Sequence, residues 1–162
     1  MKTIDTMEKN KKIVIIKDTR ESARDIYTFK QYPDVLLLRN NLTCGDFSIA
    51  GYTNQIFVER KQLDEIVNNF CQDRERWEGE WRRAVQVGYT HKYLMIEGNL
   101  QDLLNGNYRS AAYPNSIIAS IMSWSLKYQF SWFMTSDMHT GEICVYWLMR
   151  EYQRLQKIGE LT

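Results

Sequence analysis

Short apolar runs separated by polar turns mark the parts of the chain that are able to form strands. IVII at 13–16 and VLLL at 35–38 are β-branched or aliphatic runs of strand length, which is typical of buried strands. The run FSIA, the turn GYTN at 51–54 and the run QIFVERK together predict a hairpin. The pattern predicts strands at 13–16, 35–38, 47–50, 55–61, 92–98 and 131–135.

The segments between these runs carry the spacing of amphipathic helices. Ser22 is a suitable cap for a helix that would end before Pro33. A later helix begins at Pro114 and repeats apolar residues on one face, at Ile117, Ile121, Trp124 and Tyr128. We predict helices at about 23–31, 62–70, 74–87, 114–128 and 139–157.

This order of elements predicts the fold class. Strands and helices alternate in a single stretch without repeats or long linkers, so residues 13–162 are expected to form one α/β domain, a central mixed β-sheet flanked by helices. Residues 1–12 are polar and carry a small basic patch, which predicts a disordered N-terminal tail. Residues 105–113 are expected to form an exposed loop.

Composition narrows the function only slightly. The net charge of +1 does not indicate nucleic acid binding, so any DNA contact must come from local basic clusters. Three cysteines without CxxC spacing favour reduced thiols over a disulfide framework or a zinc site. The N-terminus lacks an apolar signal segment and no apolar run reaches about 18 residues. We therefore expect a cytoplasmic protein without membrane contact, in the host cytoplasm if viral or the nucleus if eukaryotic.

Candidate chemistry lies on the strand IFVERK. Side chains alternate along a strand, so Glu59 and Lys61 project from one face while Val58 and Arg60 project from the other. The carboxylate is able to hold a divalent metal, and the ammonium is able to sit beside an attacking water and a phosphate without competing for the metal. One carboxylate is a poor site for Mg²⁺ or Mn²⁺, which prefer several oxygen ligands. Asp46, ahead of the hairpin, and Asp18, at the end of the first strand, are the further ligands that we predict.

These residues match a known motif. Asp18-Thr-Arg-Glu21, then Gly45-Asp46, then Val58-Glu59-Arg60-Lys61 with Asp64 three residues on, resemble the XPF-type nuclease domain, a family of structure-specific endonucleases. Arg76-Trp77 with Glu80 and the strand LMIEG extend the resemblance over roughly residues 13–157. It implies a restriction-endonuclease-like fold and metal-dependent cleavage of DNA at branched, flap or fork structures.

The resemblance also implies roles for individual residues. Asp18, Asp46 and Glu59 would be the metal ligands, and Lys61 the partner of the phosphate or the water. Arg60 and Asp64 would orient the catalytic groups. More weakly, it suggests DNA contacts at Glu21 and Arg76, and we add the neighbouring pair Arg82 and Arg83, although the helix that carries these arginines also fits a salt-bridged surface.

Partners and alternatives follow from the same comparison. Domains of this family often dimerise through C-terminal helices, so we expect a homodimer in which Trp132 and Trp147 are candidate anchors. The helix-hairpin-helix module of cellular family members has no room before Thr162, which favours a minimal, phage-like form. One alternative is a catalytically inactive scaffold that binds DNA or a partner. Another is a restriction-type or junction-resolving nuclease with the same site chemistry.

Overall fold

The computed structural model describes residues 13–21 and 27–161 and contains one mixed six-stranded sheet with the strand order β2-β1-β3-β4-β5-β6. β1 pairs in parallel with β2 and antiparallel with β3, β3 is antiparallel to β4, and β4, β5 and β6 run parallel. The strands are β1 (Ile13–Asp18), β2 (Val35–Asn40), β3 (Phe47–Ile49), β4 (Ile56–Gln62), β5 (His91–Glu97) and β6 (Ser131–Thr135).

Helices cover both faces of the sheet. They are α1 (Leu63–Cys71), α2 (Arg74–Val87), α3 (Leu100–Asn105), α4 (Pro114–Tyr128) and α5 (Met138–Lys157). Strand alternation divides the core: Phe57 packs with side chains of α1 to α4, whereas its neighbour Val58 packs with side chains of α5. The mixed sheet with flanking helices confirms the predicted fold class.

Two local predictions need correction. The short helix α3 was not predicted, although Asn99 caps its first turn by accepting from the Asp102 amide and Gly106 ends it in the left-handed conformation. The helix predicted at 23–31 is wrong for residues 27–31, which form loop and turn, since Tyr27 and Phe29 have φ angles of 59° and 53°. The rest of that helix, and the predicted disordered tail at 1–12, lie outside the described residues.

Within the part of the chain that the structure describes, no helix combines the length and the apolar character required to cross a bilayer. The three cysteines, Cys44, Cys71 and Cys144, are free thiols, as the spacing predicted.

Candidate active site

A pocket of about 370 Å³ opens between α2 and the edge of the sheet at which β1 and β4 end. Its wall is strongly charged. The acidic residues that line it are Asp18, Glu21, Asp46, Glu59 and Glu80, and the basic ones are Arg20, Lys61, Arg76 and Arg83. Three aromatic side chains also line the pocket, and they belong to the core under α1 and α2. They are Phe57, Trp77 and Trp81.

Backbone pairing brings three of the predicted acids to this pocket. The Asp18 amide donates to the Asp46 carbonyl at 2.8 Å, and the Asp46 amide donates to the Val58 carbonyl at 2.8 Å. The Asp46 carboxylate in turn accepts from the Arg60 amide at 2.7 Å. Asp46 is therefore fixed between the ends of β1 and β4, and Asp18 and Glu59 lie on either side of it.

The turn at Gly45-Asp46 depends on the glycine. Gly45 has a φ angle of 76°, a region that L-residues adopt only with strain. A side chain there would also place its Cβ 2.4 Å from Cδ2 of Phe57. Glycine allows the loop to press on the Phe57 ring while it turns Asp46 toward the pocket.

Asp46 and Glu59 form an electrostatically unfavourable pair in the free protein. Burial raises the pKa of Asp46 well above its usual range, and the charge of Glu59 raises it further. Burial also raises the pKa of Glu59, although the Lys61 ammonium opposes this effect. Two carboxylates that resist ionisation in one pocket are stabilised as anions by a bound cation.

Lys61 supplies the positive charge nearest to this pair. Its Nζ lies 2.7 Å from Oε1 of Glu59, on the same face of β4, as the alternation predicted. Burial alone would lower the pKa of Lys61, but Glu59 and Asp46 outweigh it and raise the pKa. Lys61 is therefore a protonated donor rather than a base.

Asp18 differs from the other two acids because its carboxylate is already paired. Oδ1 accepts from the Arg20 amide and from Arg20 Nε, and Oδ2 accepts from Arg20 Nη2 and the Leu42 amide, at 2.7 to 3.0 Å. Burial would raise the pKa of Asp18, but these hydrogen bonds overcome it and lower the pKa. A cation could reach this carboxylate only if Arg20 moved away.

These donors fit a divalent cation that keeps part of its hydration shell. Among the described residues, no group of three or more His, Cys, Asp or Glu side chains is arranged to hold a metal. Mg²⁺ commonly binds through one or two carboxylates together with waters and substrate phosphates. The pair Asp46 and Glu59 meets that requirement, and Asp18 would add a third ligand after release from Arg20.

Arg60 projects to the opposite face of the sheet. Its guanidinium donates twice to Glu97, at 2.8 and 2.6 Å, and lies 3.5 Å from Glu21. The Tyr27 hydroxyl donates to the same Glu97 carboxylate. Burial would lower the pKa of Arg60, but Glu97 raises it. Glu97 lies in this buried network. Arg60 contacts Asp46 through its backbone amide.

Of the other predicted site residues, some line the pocket and others lie outside it. Asp64 does not line the pocket and accepts the Arg109 amide at 2.8 Å. Glu21, Arg76 and Arg83 do line it, whereas Arg82 is exposed on α2 outside it. Arg76 also pairs with Asp73 and Glu80 on its own helix, at 3.3 and 3.5 Å.

Two pocket residues were absent from the predicted site. Arg20 pairs with Asp18, and its place within Asp18-Thr-Arg-Glu21 was a signal that could have found it. Glu80 contributes a further carboxylate from α2, four residues after Arg76. The i,i+4 spacing of Glu80 from Arg76 fits a surface ion pair equally well, so the sequence alone did not assign Glu80 to the site.

Comparisons with known proteins identify the family of this chain. Residues 17–146 match the ERCC4 domain. The chain is 26% identical over 119 residues to the 3'-flap repair endonuclease Xpf of Saccharolobus solfataricus, covering 74% of this chain and 48% of the relative. It thus spans about half the length of that curated relative.

Solved structures show the same fold. XPF from Aeropyrum pernix superposes with a TM-score of 0.69 and 20% identity, over 91% of this chain and 69% of that one. The same protein in a complex with DNA superposes with a TM-score of 0.71 and 19% identity, over 88% and 66%. The family match spans most of the chain and includes the acidic pocket, so this protein belongs to the ERCC4 domain family, the XPF-type nuclease domains.

Proposed function

We propose that this domain is a divalent-metal-dependent endonuclease that hydrolyses DNA phosphodiester bonds at branched, flap or fork structures. The observation that carries the proposal is the pair of half-buried Asp46 and buried Glu59, whose pKa values are raised, with the Lys61 ammonium 2.7 Å from Glu59. Such a cluster of perturbed groups in a pocket is typical of a catalytic site.

The carboxylates and the ammonium have separate roles in the proposed hydrolysis. Asp46 and Glu59 would hold Mg²⁺ or Mn²⁺, which when bound activates the attacking water and offsets charge on the phosphate. Glu59 orients Lys61, and Lys61 donates to a non-bridging oxygen of the scissile phosphate, where negative charge grows.

Arg20 links DNA binding to completion of the ligand set. Its side chain is 63% exposed while its guanidinium covers Asp18, so it is able to exchange one anion for another. A DNA phosphate at the pocket mouth would draw Arg20 from Asp18, because arginine binds phosphate as well as carboxylate in a bidentate manner. Asp18 is then released toward the cation.

The substrate class rests on the relatives and on local charge. The curated relative is named as a 3'-flap repair endonuclease, and a solved neighbour was captured with DNA. In this chain Arg20, Arg76 and Arg83 line the pocket and supply local positive charge despite the net charge of +1. A homodimer through the C-terminal helices and a cytoplasmic location stay predictions.

A cleavage panel tests the proposal. Labelled linear duplex, fork, 3'-flap and four-way junction are incubated with Mg²⁺, Mn²⁺ or EDTA. We expect metal-dependent cleavage of fork and flap, its loss in Asp46→Asn and Glu59→Gln, and normal cleavage by Glu151→Gln, a control on the opposite face of the sheet.

Other outcomes of the panel would replace the proposal. Binding without cleavage in Mn²⁺ would indicate the inactive scaffold. Preferential cleavage of the junction, or of specific duplex sequences, would indicate a resolving or restriction-type enzyme. Cleavage that persists in EDTA would remove the metal from the mechanism.

A further inference from the structure

The segment 106–113, between α3 and α4, is here termed the Arg109 loop. The loop is held by Asp64, the second residue of α1, which lies 45 residues before Arg109 in the chain. The Arg109 amide donates to Oδ1 of Asp64 at 2.8 Å, and Arg109 Nε lies 3.8 Å from Oδ2. The trailing aspartate of the family motif therefore holds a surface loop in place.

Hydrogen bonds within the loop give it a defined shape. The Tyr108 hydroxyl donates to the Ala112 carbonyl at 2.7 Å. The Ser110 amide donates to the Tyr108 carbonyl at 2.9 Å, and the Ala112 amide donates to the Ser110 hydroxyl at 3.1 Å. A loop ordered in this way loses little conformational entropy when it binds a partner.

The two largest side chains that the loop exposes to solvent are a cation and an aromatic ring. The Arg109 side chain is 92% exposed, and Tyr113, at the start of α4, is 79% exposed. The eight residues of the loop include no acidic side chain. An exposed cation four residues from an exposed aromatic ring, with no acid between them, is the combination that binds single-stranded nucleic acid through phosphate contact and base stacking.

The loop also lies at the edge of the sheet that carries the pocket. Gln62, Glu97 and Thr135 are register partners, so β4, β5 and β6 end at one level. The buried side chains of α1 and α3 pack on the same face of the sheet as the aromatic side chains that line the pocket. Asp64 follows Lys61 by three residues, so their Cα atoms are at most about 11 Å apart. Phosphates along one DNA strand recur about every 3.4 Å of helix axis, and a strand bound at Lys61 would reach the loop within a few nucleotides.

We infer that the Arg109 loop is a second DNA contact beside the cleavage site, with Arg109 on a backbone phosphate, Tyr113 stacked on an unpaired base, and Asp64 as the residue that positions Arg109. This inference rests on the proposed function, because it takes the pocket as the place where a phosphate is cleaved. It assigns Asp64 an action through the loop rather than on the reacting atoms.

Binding measurements without turnover test the loop apart from the chemistry. Fluorescent flap DNA with an unpaired arm is titrated in EDTA at several salt concentrations with the wild type, Arg109→Ala, Tyr113→Ala and the control Lys157→Ala. We expect Arg109→Ala to weaken binding several-fold and to reduce the log–log salt slope by about 0.7–0.9. Tyr113→Ala should weaken flap binding about tenfold and fully paired duplex much less.

Variants of Asp64 separate positioning from general stability. Asp64→Asn keeps an oxygen that accepts the Arg109 amide and should bind nearly as the wild type does, whereas Asp64→Ala should resemble Arg109→Ala. The Asp64→Ala/Arg109→Ala double variant should be little worse than either single variant. Circular dichroism confirms that each is folded.

The two proposals fail separately. Unchanged affinity and salt slope in Arg109→Ala, or equal effects of Tyr113→Ala on flap and duplex, would overturn the loop contact even if the wild type cleaves DNA. A wild type that binds with the expected slopes but never cleaves would overturn the proposed function and leave the loop contact intact. Additive effects of Asp64→Ala and Arg109→Ala would remove the positioning role.

Discussion

Replacement of Gly45 by alanine tests how the Gly45-Asp46 turn is built. Two costs act at this position. A left-handed conformation costs an L-residue about 1–2 kcal/mol, and Gly45 has a φ angle of 76°. The new Cβ would also lie 2.4 Å from Cδ2 of Phe57, and overpacking of a core costs about 1–3 kcal/mol. The sum is about 2–5 kcal/mol, a large part of the stability of a typical domain.

Gly51 provides the matched control. Its φ angle is 86°, but nothing lies within 4 Å of the position of an added Cβ. Gly51→Ala should therefore lose only the backbone contribution of about 1–2 kcal/mol. The difference between the two variants isolates the contact with Phe57.

Urea denaturation at 25 °C measures the free energy of unfolding of both variants, and thermal melting gives a second reading. For a domain of this size each kcal/mol shifts Tm by about 2–4 °C. Cleavage per folded molecule should also fall in Gly45→Ala, because the strained loop carries Asp46. Equal losses of stability in Gly45→Ala and Gly51→Ala would refute the argument from the Phe57 contact.

Three further outcomes are expected. In EDTA, Asp46→Asn should raise Tm because it removes a half-buried carboxylate that Glu59 repels, and a lower Tm of the variant in EDTA would contradict this. Mg²⁺ should stabilise the wild type but not the variant. Glu97→Gln should lower the free energy of unfolding by about 3 kcal/mol, since it replaces the carboxylate that accepts two hydrogen bonds from the buried Arg60 guanidinium and leaves Glu21, at 3.5 Å, as its charged partner. A loss below about 1 kcal/mol in urea would exclude that account. Trp147→Ser, at a side chain that is 51% exposed on α5, should convert a dimer to a monomer in sedimentation velocity, and an unchanged mass would exclude this helix as the interface.

Periodicity in the sequence was sufficient to predict most of the strands and helices. The alternation in IFVERK already places Glu59 and Lys61 on one side of a strand and Arg60 on the other, as the structure has them. The apolar spacing after Pro114 gives α4, whose buried face is the predicted one. These features are local: the side-chain period of a strand or a helix is a property of a few neighbouring residues.

Local patterns failed where contacts with distant parts of the chain decide the backbone conformation. At Tyr27 and Phe29 the φ angles are positive although both are bulky aromatic residues, and both rings are buried in the core under α5. Tyr27 stacks on Phe47, and its hydroxyl donates to Glu97. Burial of these rings between distant elements outweighs the helical propensity of the segment.

The amino-acid sequence by itself determined which residues are the candidates for the chemistry, because the motif around Asp18, Asp46 and Glu59 is a matter of residue type and spacing. Only the tertiary structure decided how they are paired. Arg20 covers Asp18, and Asp64 holds Arg109 from 45 residues away. Such pairings depend on a strand order in which β3 lies between β1 and β4, and that order is set by burial of the whole core rather than by any segment alone.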